Sequence, residues 1–103
     1  MIKVFWTPEA IETYEEELHY IQQTWGLETL LNFSNRIEDC IRLLQKGIVE
    51  ARYSKKSDLY FFVVSKQTSI VYRIYTHKNQ IDLLLFWNNK RDPNSLKKFL
   101  GKS

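Results

Sequence analysis

Cysteine, glycine, proline and histidine are all scarce in this chain, and each scarcity excludes something. The one cysteine, Cys40, has no partner for a disulfide within the chain, so the fold must hold without one, which suits a reducing compartment. Three glycines and two prolines leave few places for unusual backbone geometry, so connections should be few and short. No apolar run approaches the roughly 20 residues needed to cross a bilayer, and segments such as Leu83 to Trp87 fall far below it. The opening MIKVFWTPEA lacks the apolar core of a secretory signal. These absences predict a soluble, cytoplasmic protein with no membrane partner. The two histidines, His19 and His77, have no second ligand at metal-binding spacing, so no metal site is expected. No glycine-rich phosphate loop and no Ser/His/Asp or Cys/His arrangement is legible, so no cofactor is expected either.

What the chain does have is apolar and aromatic material. Hydrophobic residues make up 44% and aromatics 15% of 103 residues, enough for one folded domain over 1–103 and too much for a disordered chain. Charge is distributed unevenly. Residues 1–45 carry three basic side chains (Lys3, Arg36, Arg42) against eight acidic ones, whereas residues 46–103 carry twelve against four. The C-terminal half, at +8, should draw an anionic partner.

Ile2 to Trp6 alternates like a short strand. Thr7-Pro8-Glu9 then has the order of a helix start: a hydroxyl cap, proline at the first position and an acid in the first turn. Ile11, Tyr14, Leu18, Ile21 and Trp25 recur at helical spacing and predict the buried stripe, with Gly26 as the stop. A second helix is predicted over 28–46, burying Leu30, Phe33, Ile37, Cys40, Ile41 and Leu44 and ending at Gly47. The short link makes the pair an antiparallel hairpin. Cys40 falls within the apolar stripe and reads as core, not as a nucleophile. Ala51 to Asp58 reads as a basic loop. Leu59–Ser65, Ser69–Thr76 and Ile81–Trp87 read as three strands of an antiparallel meander, followed by a loop to Pro93 and a short helix over 94–100. The expected class is α+β, β-α-α-β-β-β with a short C-terminal helix, the helical hairpin lying on one face of a small antiparallel sheet.

Pairing Thr76 with Ile81 puts Ile70, Tyr72, Ile74, Leu83, Leu85 and Trp87 under the helices. Val71, Arg73, Tyr75, Asp82, Leu84 and Phe86 then form a second face, with Arg73 and Asp82 as diagonal neighbours able to pair. So apolar a face marks a binding surface or is covered by the C-terminal helix. A basic cluster of Arg52, Lys55, Lys56, Arg73, Lys90 and Arg91, with Tyr53, Tyr75 and Trp87 nearby in sequence, suits contact with phosphates and bases.

Four segments carry a family resemblance: Trp6-Thr7-Pro8-Glu9-Ala10, Trp25-Gly26-Leu27-Glu28, Val71-Tyr72-Arg73-Ile74, and the ending Phe86 to Pro93 with Arg91-Asp92-Pro93. In this order and spacing, over residues 2–100, the chain resembles the RelE/ParE superfamily of toxins. The resemblance implies the toxin of a type II toxin–antitoxin system of the plasmid-stabilisation type, which arrests growth and forms a hetero-oligomer with a cognate antitoxin. RelE-like members cut mRNA on the ribosome with basic residues and a C-terminal Tyr or His; ParE-like members poison DNA gyrase. The nuclease branch has an arginine where this chain has Ser69, and after Trp87 there is no Tyr or His. Cleavage needs proton transfer as well as charge stabilisation, so the ParE branch is favoured. A RelE-like ribosome-dependent mRNA endoribonuclease is the alternative, with Arg73, Arg91, Lys55 and Lys56 as its catalytic candidates; an inactive relative kept as a binding partner is a third reading. Val71, Tyr75, Leu84 and Phe86 are the expected antitoxin contacts, and Arg73, Trp87, Lys90 and Arg91 the expected target contacts.

Overall fold

The computed structural model describes residues 1–48 and 50–90. The chain runs β1 (Lys3–Trp6), α1 (Pro8–Trp25), α2 (Leu27–Gln45), β2 (Arg52–Ser54), β3 (Leu59–Val63), β4 (Thr68–Tyr75), a 3-10 turn (Thr76–Lys78) and β5 (Gln80–Asn88). The loop to Pro93, the helix expected over 94–100 and Arg91 lie outside the described residues. Where a three-stranded meander is predicted there are four strands, because Arg52–Ser54 pairs with β3. This strand is hard to read in sequence: it is three residues long and lies at a sheet edge among charges, so no apolar alternation marks it. The sheet order is β1-β5-β4-β3-β2, with β1 parallel to β5 and the remaining pairs antiparallel.

The helix ends follow the predicted chemistry. Thr7 caps α1 by accepting a hydrogen bond from the Ala10 N–H at 3.1 Å. Gly26 ends α1 by donating its N–H to the Gln22 carbonyl, and its own carbonyl accepts from the Leu30 N–H of α2. One residue thus reverses the chain, at φ 92° and ψ −178°, a combination open only to glycine. At the end of α2, Gly47 (φ 72°) donates to the Leu44 carbonyl and Ile48 to the Leu43 carbonyl, the paired bonds of a left-handed glycine cap.

The second helix buries the predicted set: Phe33, Ile37, Cys40 and Leu44 fully, Leu30 and Ile41 in part. The stripe of α1 differs. Its inward residues are Ala10, Tyr14, Glu17, Leu18 and Ile21, while Ile11 and Trp25 stay about half exposed. Successive helical residues are about 100° apart, and the helix docks through fully buried Ala10, the small residue that permits close approach to the sheet. That choice turns Ile11 outward.

The β4–β5 register corrects the expected faces. Tyr75 pairs with Gln80 and Tyr72 with Leu83, two residues from the assumed pairing, so the faces of β4 are as predicted. Between Val71 and Tyr72 the register shifts, and Leu84 becomes an extra residue on β5. Such a bulge reverses the side-chain parity of everything beyond it. Phe86 therefore lies under the helices, stacked on Trp6 with ring centroids 5.3 Å apart and 4.9 Å from Tyr14. Leu85 and Trp87, expected there, lie instead on the second face with Leu59, Phe61, Val71 and Leu84. Two threonines of α1 and its cap bond backbone groups of β5 on either side of the irregularity. Thr7 donates through both its N–H and its hydroxyl to the Leu83 carbonyl, and the Thr13 hydroxyl accepts from the Phe86 N–H at 2.9 Å. The bulge is thus built into the contact between α1 and the sheet.

Candidate functional site

The second face of the sheet is not the open apolar patch expected from alternation. Val71, Leu59 and Leu85 are fully or almost fully buried and Trp87 is 8% exposed. Of the expected antitoxin contacts, Tyr75 and Leu84 remain half-buried on this side, Val71 is beneath the surface, and Phe86 faces the helices. The Lys78 ammonium sits 5.5 Å from the Tyr75 ring centroid, a cation over an aromatic face. Arg52 stands similarly over Phe61 at 5.4 Å, so cations flank the face on both sides.

The basic candidates separate into two places. Arg73 belongs to the end of the sheet that carries the β2–β3 turn. Its guanidinium donates from Nη2 to the Ser57 carbonyl at 3.2 Å and from Nε to the Asp58 carbonyl at 3.3 Å. The expected pairing with Asp82 does not form, although the two stand directly opposite on β4 and β5; Asp82 accepts from the Gln80 amide at 2.7 Å instead. Lys55 and Lys56 stand exposed at the tip of the same turn. Trp87 and Lys90 are at the other end of the strands, where the Lys90 N–H donates to the Asn88 side chain at 2.9 Å. Four residues of strand separate Ser69 from Arg73, roughly 13 Å, so the two groups do not converge on one phosphate. Among the described residues the only ion pairs join Arg42 to Glu38 and Asp39, which leaves Lys55, Lys56, Arg73 and Lys90 without a carboxylate partner there.

Ser69, at the position that carries an arginine in the nuclease branch, is buried beside Trp87, its partner across the strands. Its hydroxyl donates to the Asn89 side chain at 2.7 Å, and the Asn89 amide donates onward to the Ser65 carbonyl at 3.2 Å. Next to it Thr68, also buried, donates its hydroxyl to the Glu17 carboxylate at 2.9 Å. Sequence reading misses Glu17, which sits at helical spacing from Ala10, Tyr14 and Ile21 but carries a charge and so passes for solvent-facing. This end of the sheet is polar and hydrogen-bonded: Lys90 stands exposed beyond Asn89 and Arg36 lines a cavity with Ser65, Gln67 and Thr68, but the bonds of the Ser69 and Thr68 hydroxyls go to Asn89 and Glu17 and not to a cation.

A row of tyrosines crosses the sheet on its helical side. Tyr72 stacks on Tyr60 at 5.3 Å, and Tyr60 lies 4.7 Å from Tyr53 on the edge strand. Burial, with a smaller contribution from Tyr60, pushes the Tyr72 hydroxyl up to about 12, so it is no acid at neutral pH. The Tyr53 hydroxyl donates to Asp58 at 2.8 Å, a bond that raises its own ionisation above the ordinary value. Burial also raises the Cys40 thiol, against a smaller opposing effect of Arg36, which agrees with a core cysteine. No group of three His, Cys, Asp or Glu side chains among the described residues is placed to hold a metal ion. No helix among them is long and apolar enough to cross a membrane.

No family model matches the sequence, and no curated protein is significantly similar to it. Solved structures are. A chromosomal ParDE toxin–antitoxin system from P. aeruginosa matches with a TM-score of 0.70 at 18% identity, over 85% of this chain and 96% of that one. A copper-bound mutant toxin from Helicobacter pylori matches at 0.64 and 14%, over 86% and 96%. A YoeB–YefM complex from Staphylococcus aureus matches at 0.56 and 14%, over 84% and 94%. At these identities the likeness is one of fold. Two helices on a five-stranded mixed sheet, in this order and over nearly the full length of each match, are the RelE/ParE-type toxin fold.

Proposed function

We propose that this chain is the toxin of a type II toxin–antitoxin pair of the plasmid-stabilisation type, that it arrests growth by poisoning DNA gyrase, and that a cognate antitoxin neutralises it in the cytoplasm. The RelE/ParE-type fold supports the toxin reading. The choice of gyrase rests on one observation, the buried Ser69 held by Asn89 where a cutting enzyme needs an exposed cation. Arg73, the nearest arginine along the strand, is engaged with the backbone of the β2–β3 turn and does not replace it. The target-facing candidates are Lys90 and Trp87 at one end of the strands and, outside the described residues, Arg91; Arg73 belongs to the other end, where its guanidinium is held by the β2–β3 turn. The antitoxin, a small protein with an acidic tail, is proposed to lie along the Tyr75–Leu84 side of the sheet, where the corrected register leaves partly exposed apolar surface beside cations.

A short pulse of expression tests the reading. A gyrase poison yields double-strand DNA breaks and a damage response with mRNA 5′ ends unchanged. Ribosome-dependent mRNA cleavage by the purified protein, lost in Arg91→Ala, would replace this reading with the endoribonuclease. Ser69→Ala should leave growth arrest as it is, since in this reading the hydroxyl binds only Asn89.

A further inference from the structure

Arg73 lies among the basic residues that a toxin would turn toward an anionic partner, yet its guanidinium is already committed to the protein's own backbone. It reaches from β4 to the carbonyls of Ser57 and Asp58, two consecutive residues of the turn between β2 and β3. That turn is short, closing between Ser54 and Leu59, which are paired across the hairpin. It also requires a left-handed residue, Asp58 at φ 56°, a conformation that a non-glycine side chain adopts at some cost and keeps only when held. Arg73 supplies two of the holding bonds, and the Tyr53 hydroxyl supplies a third by donating to the Asp58 carboxylate at 2.8 Å. The Ser57 hydroxyl, buried in the same turn, has no hydrogen-bond partner among the described residues and so adds nothing to the hold. At the tip stand Lys55 and Lys56, exposed and without a carboxylate partner among the described residues.

We infer that Arg73 is a positioning residue: it fixes the β2–β3 turn so that Lys55 and Lys56 are presented together and ordered, and it acts on a partner through those lysines and not by its own contact. A guanidinium suits this task because its fixed fork of donors can serve two carbonyls at once, and its charge strengthens both bonds. A lysine in its place offers a point charge and serves the pair less well. The ordering of the turn is a property of the fold alone. The use of the ordered lysines rests on the toxin reading above, and the two parts are read by different measurements.

Trypsin cleaves after lysine, so Lys55 and Lys56 report on their own ordering. In Arg73→Ala, cleavage at these two sites should accelerate on the order of tenfold, the opening expected when charge-assisted bonds to the turn are lost. Cleavage after Lys46 and the urea midpoint should stay near their wild-type values, and Arg73→Lys should restore part of the protection. Unchanged cleavage at Lys55 and Lys56, or acceleration matched at Lys46, overturns the inference. If Arg73→Ala fails to fold, exchange of the wild-type Arg73 Nε–H decides: slower than that of exposed Arg36 supports anchoring, and equal exchange refutes it. Growth arrest reads the second part. Lys55→Ala with Lys56→Ala should weaken arrest, and adding Arg73→Ala to that pair should weaken it no further. A further loss on adding Arg73→Ala, or no effect of the lysine pair, would mean that Arg73 does not act through those lysines. Absence of arrest by the wild-type protein would sink the toxin reading and leave the proteolysis result standing.

Discussion

At the scale of single residues, hydroxyls and carbonyls decide more here than charges do. Thr13 lies on the sheet-facing side of α1, and its hydroxyl accepts the Phe86 N–H next to the bulge. Replacing it with isosteric valine leaves that N–H without an acceptor, which should lower stability by roughly 1–3 kcal/mol, while Thr13→Ser should keep most of it. Urea unfolding of the two variants checks this, and equal midpoints would show that the bulge does not need its partner. The pH dependence of stability belongs to Tyr72. Its hydroxyl is raised by burial to about 12, above the ordinary tyrosine value near 10 that the unfolded chain retains. The unfolded state therefore loses its proton first, and the stability that Tyr72 contributes is complete below about pH 10 and declines from there toward pH 12. Between about pH 9 and pH 11 the urea midpoint should fall more for the wild type than for Tyr72→Phe.

At the scale of elements, the helical hairpin turns on Gly26 and ends on Gly47, which are not equivalent. A methyl group at Gly26 would meet no atom within 4 Å, so any cost of Gly26→Ala is conformational. Its φ of 92° with ψ near 180° suits glycine alone, so Gly26→Ala should destabilise by about 1–3 kcal/mol. Gly47, in the left-handed helical cap, should lose only about 1 kcal/mol on the same change. Thermal midpoints that rank the two the other way would contradict this account of the hairpin. How much of each element is legible in sequence differs for physical reasons. The stripe of α2 is readable because four fully buried apolar residues repeat at helical spacing. The stripe of α1 misleads because its inner face includes a small residue, Ala10, and a charged one, Glu17, while Ile11 and Trp25 outside it are large and apolar.

At the scale of the whole molecule, the sheet separates two environments. One face is sealed by the helices, and the other holds a smaller apolar cluster flanked by Arg52 and Lys78. In the proposed function, an acidic antitoxin drawn to the +8 half would meet this second face. Leu84→Glu is the probe of it, since Leu84 is the half-buried bulge residue on that side. With a large apolar contact worth on the order of 1.5–3 kcal/mol, antitoxin affinity should fall about tenfold or more. Unchanged affinity by calorimetry would move the antitoxin elsewhere. Phe86 cannot serve as such a probe, because a charge there would enter the core beside Trp6 and Tyr14.

The sequence by itself determined β1, the two helices and β3 to β5 in their order, though not the edge strand β2, since helix caps, glycine stops and apolar periodicity act within a few residues. It also determined the charge asymmetry and, through four short segments, the fold that the structure then displays. Tertiary structure alone decided which face each strand residue occupies beyond Leu84, because one extra residue reverses parity and no local pattern marks it. It decided as well that Arg73 turns to the carbonyls of Ser57 and Asp58 and not to Asp82, and that Ser69 is buried against Asn89. Those partners lie 15 to 20 residues away in the chain, and they meet only when the strands have paired.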